Sequence, residues 1–253
     1  MVRLGQNFLA DRNLLEAIVR AARVGPGDVV LEVGGGEGVL TAELAPRVRK
    51  LWVVELDEGL RPQLEGLAAR HPQIELVWGD AMRVDLAGLD PAPGAMVSNL
   101  PYSVATPVLL RTIAEVPQLE RWLVMVQLEI ADRLRAAPGS KTYGAPSVLV
   151  QLSCAVELER KVDPAVFKPR PRVQSALVRM ERVAPWPGEG VARLVRAAFA
   201  HRRKALARSV ANAGVASREC VQAALSALGL DPGVRAEALA PGQFLALAGE
   251  LGL

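Results

Sequence analysis

The sequence predicts an α/β protein, a parallel sheet with helices on both faces, followed by a small all-helical C-terminal domain. Three observations predict this. Short apolar runs alternate with helix-patterned segments as far as Gln127, the Pro/Gly cluster Pro185-Trp186-Pro187-Gly188 interrupts the chain, and beyond it Ala and Leu recur at helical spacing. The expected division is residues 1–181 for the sheet domain and 182–253 for the helical one, with the boundary near Glu181.

Each element has a local reason. Asp11 can cap a helix whose apolar residues Leu14, Leu15, Ile18, Val19 and Ala22 share one face, and Gly25-Pro26-Gly27 ends it. Val29–Val33 reads as a buried strand and Val39–Leu44 as the helix after it; Leu51–Glu55 and Glu58–Arg70 repeat the pattern. Ile74–Trp78 and Ala95–Ser98 read as the third and fourth strands, Thr106–Ala114 as a helix, and Trp122–Gln127 as another strand. Val148–Val156 and Ala176–Met180 are strand-like runs on either side of Phe167-Lys168-Pro169-Arg170-Pro171. Val191–Ala200, Lys204–Val210 and Val221–Leu228 are the helical segments of the tail. In open parallel sheets of this kind ligands bind beyond the carboxyl ends of the strands.

Composition narrows the function. No run approaches the roughly 18 apolar residues that a membrane span needs. Met1–Phe8 has no apolar core of a signal peptide, so export is not expected and a cytoplasmic location is. Two cysteines, Cys154 and Cys220, and two histidines, His71 and His201, offer neither a zinc site nor a disulfide framework. Charge is unevenly placed: Lys161–Arg208 holds twelve Lys and Arg against three acids, a local +9 within an overall +3, which leaves −6 elsewhere. A basic stretch in an otherwise acidic chain favours a polyanion-facing surface over a merely solvated one.

Asn99-Leu100-Pro101-Tyr102 stands where a buried strand runs out. The lone pair of an adenine exocyclic amine is delocalised into the ring, so the amine must be oriented by acceptors before it attacks a methyl group. An Asn oxygen and a neighbouring backbone carbonyl can accept its two hydrogens. Pro101 stiffens the turn and biases Leu100 toward an extended conformation, and Tyr102 offers a stacking face. The same four residues also make an ordinary strand-ending turn. Glu32-Val33-Gly34-Gly35-Gly36-Glu37-Gly38 lets backbone approach a ligand at a strand-to-helix turn. A dinucleotide fingerprint counted from Gly34 needs a small residue at position 39, which is Val39, so the Gly34, Gly36, Gly38 spacing fits a methyltransferase nucleoside loop better. Glu55 can take both ribose hydroxyls, as carboxylates also do in NAD enzymes. Asp80, in Gly79-Asp80-Ala81, can accept from a cofactor adenine amine or cap a helix.

Together these residues resemble the KsgA-type ribosomal RNA adenine dimethyltransferases almost end to end. Gly5-Gln6-Asn7-Phe8-Leu9 is similar to the family's cofactor-contacting N-terminal motif, Glu32–Gly38, Glu55 and Asp80 fall where its S-adenosylmethionine ligands lie, and Asn99–Tyr102 is similar to its catalytic tetrapeptide. Gln127–Leu134, Pro138–Gly144, Phe167–Ala176, Phe199–Lys204 and Arg235-Ala236-Glu237 extend the match. The resemblance implies a Rossmann-like class I methyltransferase sheet and a cofactor site of Gln6, Asn7, Leu9, Gly34, Gly36, Gly38, Glu55, Leu56, Asp80, Ala81 and Asn99. It implies a catalytic set of Asn99, Leu100, Pro101, Tyr102 and Phe167, with the extruded base sandwiched between Tyr102 and Phe167. Lys141, Lys168, Arg170, Arg172, Arg202, Arg203 and Lys204 are the expected RNA-binding side chains. The expected reaction is dimethylation of adjacent adenosines in small-subunit (16S) ribosomal RNA, linked to small-subunit maturation. The expected substrate is RNA in an immature 30S particle met by a monomer, with neither metal nor membrane involved.

Three departures stand out. Gly35 takes the place of a Pro and should loosen the glycine turn; Leu128 stands where the family often has Lys; and the chain starts close to its first motif. The rivals are a resistance-type methyltransferase acting on large-subunit RNA, which shares the loop and the tetrapeptide, and a non-catalytic RNA-binding assembly factor. The Pro138–Gly144 segment favours the small-subunit enzymes, while intact Glu55, Asp80 and Asn99–Tyr102 argue against lost chemistry. An NAD-dependent oxidoreductase is disfavoured by Val39 and the tetrapeptide.

Overall fold

A computed structural model describes residues 8–201 and 204–253. Its elements in chain order are β1 (Phe8–Leu9), α1 (Arg12–Ala22), β2 (Val29–Val33), α2 (Val39–Leu44), β3 (Lys50–Glu55), α3 (Arg61–Ala68) and β4 (Ile74–Trp78). Next come β5 (Ala95–Asn99), α4 (Ala105–Glu115), β6 (Arg121–Gln127), α5 (Leu128–Leu134), α6 (Ala145–Gln151), β7 (Cys154–Val162), β8 (Phe167–Lys168) and β9 (Ser175–Arg182). Helices α7 (Glu189–Phe199), α8 (Leu206–Asn212), α9 (Arg218–Ala227) and α10 (Pro241–Glu250) complete the chain.

Seven strands form one sheet in the order β4-β3-β2-β5-β6-β9-β7, and β1 pairs with β8 apart from it. From β4 to β6 all pairings are parallel, whereas β9 runs antiparallel to β6, with Gln127 opposite Ser175. Every residue of β2 is buried, as a strand covered on both faces by helices must be. Chain order reverses between β2 and β5, which are sheet neighbours, so the crevice at their carboxyl ends is the natural ligand site of this Rossmann-like fold. Leu14, Leu15 and Ile18 of α1 bury their side chains in the core with Val30, Leu51, Val97 and Leu123, and the Leu14 N–H donates to Asp11 Oδ1 at 2.7 Å, the cap expected from sequence.

Two compact units result, one comprising the chain through Ala131 with Val156–Arg182, the other Asp132–Ala155 with Val183–Leu253. The sequence reading gives the helical domain as residues 182–253 alone; the helical unit also takes in Asp132–Ala155. Long-range bonds within that unit explain why. Buried Tyr143 donates from its hydroxyl to the Leu239 carbonyl at 2.8 Å, its ring meets Phe199 edge-on at 5.8 Å, and the Gly139 N–H donates to the Glu237 carbonyl at 2.7 Å. Phe199 in turn packs on Phe244. Burial pushes the Tyr143 phenol up to about 12, so it stays a neutral donor.

The strand-like run Val148–Val156 is a correction. Its first part is helix α6, and the strand starts only at Cys154. A short buried apolar run has no periodicity that separates the two states, and the decisive signal is the proline one residue into the helix at Pro146. Among the described residues no helix is long and apolar enough to cross a membrane.

Candidate active site

Three turns meet at the carboxyl ends of β2, β3 and β5. After β2, Gly34, Gly36 and Gly38 adopt φ of 81°, 56° and 80°, a left-handed backbone that glycine takes without strain. A methyl group on Gly34 would lie 3.2 Å from Pro101 Cδ and 3.7 Å from the Asn99 carbonyl oxygen, so the glycine loop and the tetrapeptide are in close approach. Gly35, expected to loosen the turn, is close-packed instead, since a Cβ there would come within 2.6 Å of Val53 Cγ1. Phe8 borders Gly36, and Phe8 and Leu9 line the cleft that Glu32, Gly34–Gly36 and Asn99 also bound. A cavity of about 570 Å³ continues from it past Asp11, Glu37, Val39 and Lys168.

Glu55 tethers the glycine loop that borders this cleft. It ends β3, is only 6% exposed, and accepts from the Gly36 N–H at 2.9 Å through Oε2 and from the Leu56 and Asp57 N–H groups at 2.8 Å through Oε1. Three of roughly four lone-pair directions are thus fixed by backbone. The carboxylate is held where one further donor can reach it, and Leu56 beside it leaves 53% of its surface open. Asp80 serves its own turn, accepting from the Met82 N–H at 2.9 Å through Oδ1, with Arg83 3.8 Å from Oδ2. A turn and not a helix follows it, so Asp80 closes a turn rather than capping a helix. Ala81 is half-buried next to it.

Asn99 closes β5 opposite Met125 of β6, the Leu100 N–H donates to the Met125 carbonyl at 3.1 Å, and the Ser98 hydroxyl accepts from the Val33 N–H at 2.9 Å. The tetrapeptide is thereby tied to the strand ends on both sides of it. Leu100 is buried and Pro101 exposed. The Tyr102 hydroxyl lies 2.6 Å from the Ser175 hydroxyl, which pins the half-buried ring at the carboxyl end of β6. Burial raises the phenol above its ordinary range and the Ser175 bond only partly offsets this, so it remains neutral.

Phe167 departs from expectation. Its ring is 2% exposed and packs in the core with Leu9, Leu14 and Leu177, because β8 pairs Phe167 with Leu9 of β1. As folded, it presents no free face to a base, and a sandwich with Tyr102 requires the β8 segment to move. Of the basic candidates, Lys168, Arg170 and Arg172 are exposed on the sheet unit, Arg170 lying 3.7 Å from Asp163; Lys141 and Lys204 are exposed on the helical unit. Gln6, Asn7, Arg202 and Arg203 lie outside the described residues. The +9 stretch is less of a surface than its count suggests. Arg179 is 8% exposed and bonds Glu159 and the Ala21 carbonyl, and Arg182 donates to the carbonyls of Leu119, Ile113 and Val116.

Glu32 is a further candidate at the cleft. It is fully buried at the head of the glycine loop, and burial raises its pKa to about 8, against a smaller opposing effect of the Thr41 hydroxyl that donates to it at 2.8 Å. Between about 4.5 and 8 the folded chain therefore holds a proton that the unfolded chain releases. Stability is expected to fall as pH rises through this window, and Glu32→Gln, which keeps the acceptor for Thr41, is expected to flatten that fall. Urea midpoints of both proteins from pH 5 to 8.5 check this; parallel curves would refute it. A lone acid in an otherwise apolar strand was the visible signal.

The family model described as "Ribosomal RNA adenine dimethylase" matches residues 2–252. The chain is 45% identical over 247 residues to the ribosomal RNA small subunit methyltransferase A of Rubrobacter xylanophilus, covering 97% of this chain and 92% of that one. It is 44% identical to the protein of the same name from Nocardia farcinica, covering 98% and 88%. Among solved structures, a dimethyladenosine transferase from Plasmodium falciparum has the same fold, with a TM-score of 0.80 at 23% identity over 95% of both chains. The 23S rRNA methyltransferase ErmE superposes with a TM-score of 0.69 at 30% identity, covering 98% of this chain and all of that one.

Proposed function

The chain belongs to the ribosomal RNA adenine dimethylase family, and from this premise we propose how its cleft transfers methyl groups to adenine amines of small-subunit ribosomal RNA. It is an S-adenosylmethionine-dependent rRNA adenine-N6,N6-dimethyltransferase. The observation that carries the reading is the meeting of the glycine loop and Asn99–Tyr102 at adjacent strand ends, with Glu55 at the neighbouring one.

The residues fit the cofactor. The remaining acceptor capacity of Glu55 would take a ribose hydroxyl, Leu56 and Ala81 would flank a base, Asp80 would accept from its amine, and Gly34–Gly36 with Leu9 would border the rest. When bound, S-adenosylmethionine supplies an electrophilic methyl group on a sulfonium sulfur. Asn99 Oδ1 and the Leu100 carbonyl accept the two amine hydrogens and draw the nitrogen toward tetrahedral geometry. Tyr102, held by Ser175, provides the surface on which the extruded base lies. No dedicated base is needed, since a methylated amine nitrogen becomes acidic and sheds its proton after transfer. Exposed Lys168, Arg170 and Arg172, with Lys141 and Lys204, contact phosphates. The protein acts as a monomer in the cytoplasm on RNA in an immature small subunit.

Identity of 44–45% to proteins named for the small subunit, against 30% to the 23S enzyme, supports the small-subunit target. Radiolabelled methyl transfer to undermodified small and large subunits in parallel, followed by nucleoside analysis, tests it. Dimethyladenosine in the small subunit alone is the expected result. Label in large-subunit RNA would establish the resistance-type reading, and RNA binding with no label would establish an assembly factor.

A further inference from the structure

Arg111 belongs to none of the motifs above, yet its side chain is only 13% exposed and its bonds run to the turn after Asp80 and along its own helix. It projects from α4, the helix that begins at Ala105, directly after the tetrapeptide. Nη1 donates to the Ala81 carbonyl at 2.5 Å, Nη2 to the Val84 carbonyl at 2.7 Å, and Nε to Glu115 Oε2 at 2.8 Å. The planar fork thus grips both ends of the turn that follows Asp80, while Glu115, one helical turn further on, fixes the guanidinium. The turn's inner bonds, from the Arg83 and Val84 N–H groups to the Asp80 carbonyl, are local and cannot set its position relative to the sheet. Arg111 can, because α4 is anchored through Val108, Leu109 and Ile113, which are fully buried. Its place some 9 Å along α4 links the turn to the same helix that carries the tetrapeptide at its start.

We propose that Arg111 is a positioning residue for cofactor recognition, holding the Asp80–Val84 turn so that the Asp80 carboxylate and the Ala81 backbone stand where the cofactor's base binds. This rests on the cofactor site described under the proposed function. A lysine cannot reproduce the grip, since one ammonium cannot hold two carbonyls with a rigid fork. The turn is thereby registered to the tetrapeptide by a single side chain outside both.

Calorimetric titration of the full chain with S-adenosylhomocysteine tests this in Arg111→Met, Arg111→Lys and Asp80→Ala. The expected result is binding weakened about tenfold in Arg111→Met, an intermediate loss in Arg111→Lys, and a KM for the cofactor that rises at least five times more than kcat falls. Amide hydrogen exchange at Met82, Arg83 and Val84 is expected to quicken in the same order. Wild-type affinity in both Arg111 variants with weakened binding in Asp80→Ala would overturn the role of Arg111 alone. Wild-type affinity in Asp80→Ala as well would overturn the cofactor-site reading beneath it. If Arg111→Met fails to fold, the intermediate loss in Arg111→Lys decides, and its absence counts against the proposal.

Discussion

Asn99→Ala is expected to abolish methyl transfer, with a loss of about a thousandfold or more in single-turnover rate, while affinity for S-adenosylhomocysteine falls less than tenfold. The two effects separate because the side chain and the backbone of this residue do different things. Its backbone completes β5, pairs with Met125 and is flanked by the Ser98 and Leu100 bonds, none of which involves the amide side chain. These backbone bonds survive truncation, which takes away the acceptor that orients the amine nitrogen. An interaction needed only as the nitrogen leaves planarity is lost from the transition state rather than from ground-state binding. Asn99→Asp keeps an acceptor oxygen and is expected to retain part of the rate. A rapid-quench assay with saturating RNA and cofactor reads the rate and calorimetry the affinity; a rate near wild type in Asn99→Ala would remove the assigned role.

Glu55→Ala is expected to weaken cofactor binding about a hundredfold and to cost the folded protein about 3 kcal/mol. The carboxylate satisfies three backbone N–H groups, one from the glycine loop and two from the turn after β3, so its loss leaves all three short of an acceptor in a largely buried site. The loop then loses its tether to β3 at the point where Gly36 must stay in a left-handed conformation. Ligand affinity and fold stability should therefore fall together, unlike in Asn99→Ala. Urea unfolding and calorimetric titration of the same preparations measure the two losses. A normal urea midpoint would show that the three bonds contribute little, and normal affinity would displace Glu55 from the cofactor site.

Much of the sheet was legible because a fully covered parallel strand leaves a plain mark, an apolar run closed by glycine or acid. Val29–Val33 is read to the residue, and Leu51–Glu55 lacks only its first residue, Lys50; Ile74–Trp78 is also read to the residue, although as the edge strand it is only partly covered. The turns at their ends were legible for the same reason. What escaped depends on partners distant in the chain. Nothing in the neighbourhood of Ser175 announces that the antiparallel β9 will bring it to Tyr102, and nothing near Arg111 announces the turn at Ala81. The burial of Phe167 follows from its pairing with Leu9, about 160 residues earlier. Charge counting erred for a related reason, since it treats every arginine as surface, whereas Arg179 and Arg182 spend their donors on Glu159 and on carbonyls inside the sheet unit.

The interleaving of the two units along the chain bears on how the molecule is made and how it can be cut. Residues 132–155 leave the ribosome long before 183–253, so Tyr143 and Val148 of the helical unit have no core to enter until translation is nearly finished. The sheet unit also waits, because β9, an inner strand of its sheet, is synthesised after α6. The sheet unit can close only after residue 182 has been made and the helical unit only at the end of synthesis, and a gene fragment starting at 183 would encode helices without their partners. Recombination at a single point cannot transplant the helical unit, and a transferable version needs both of its segments.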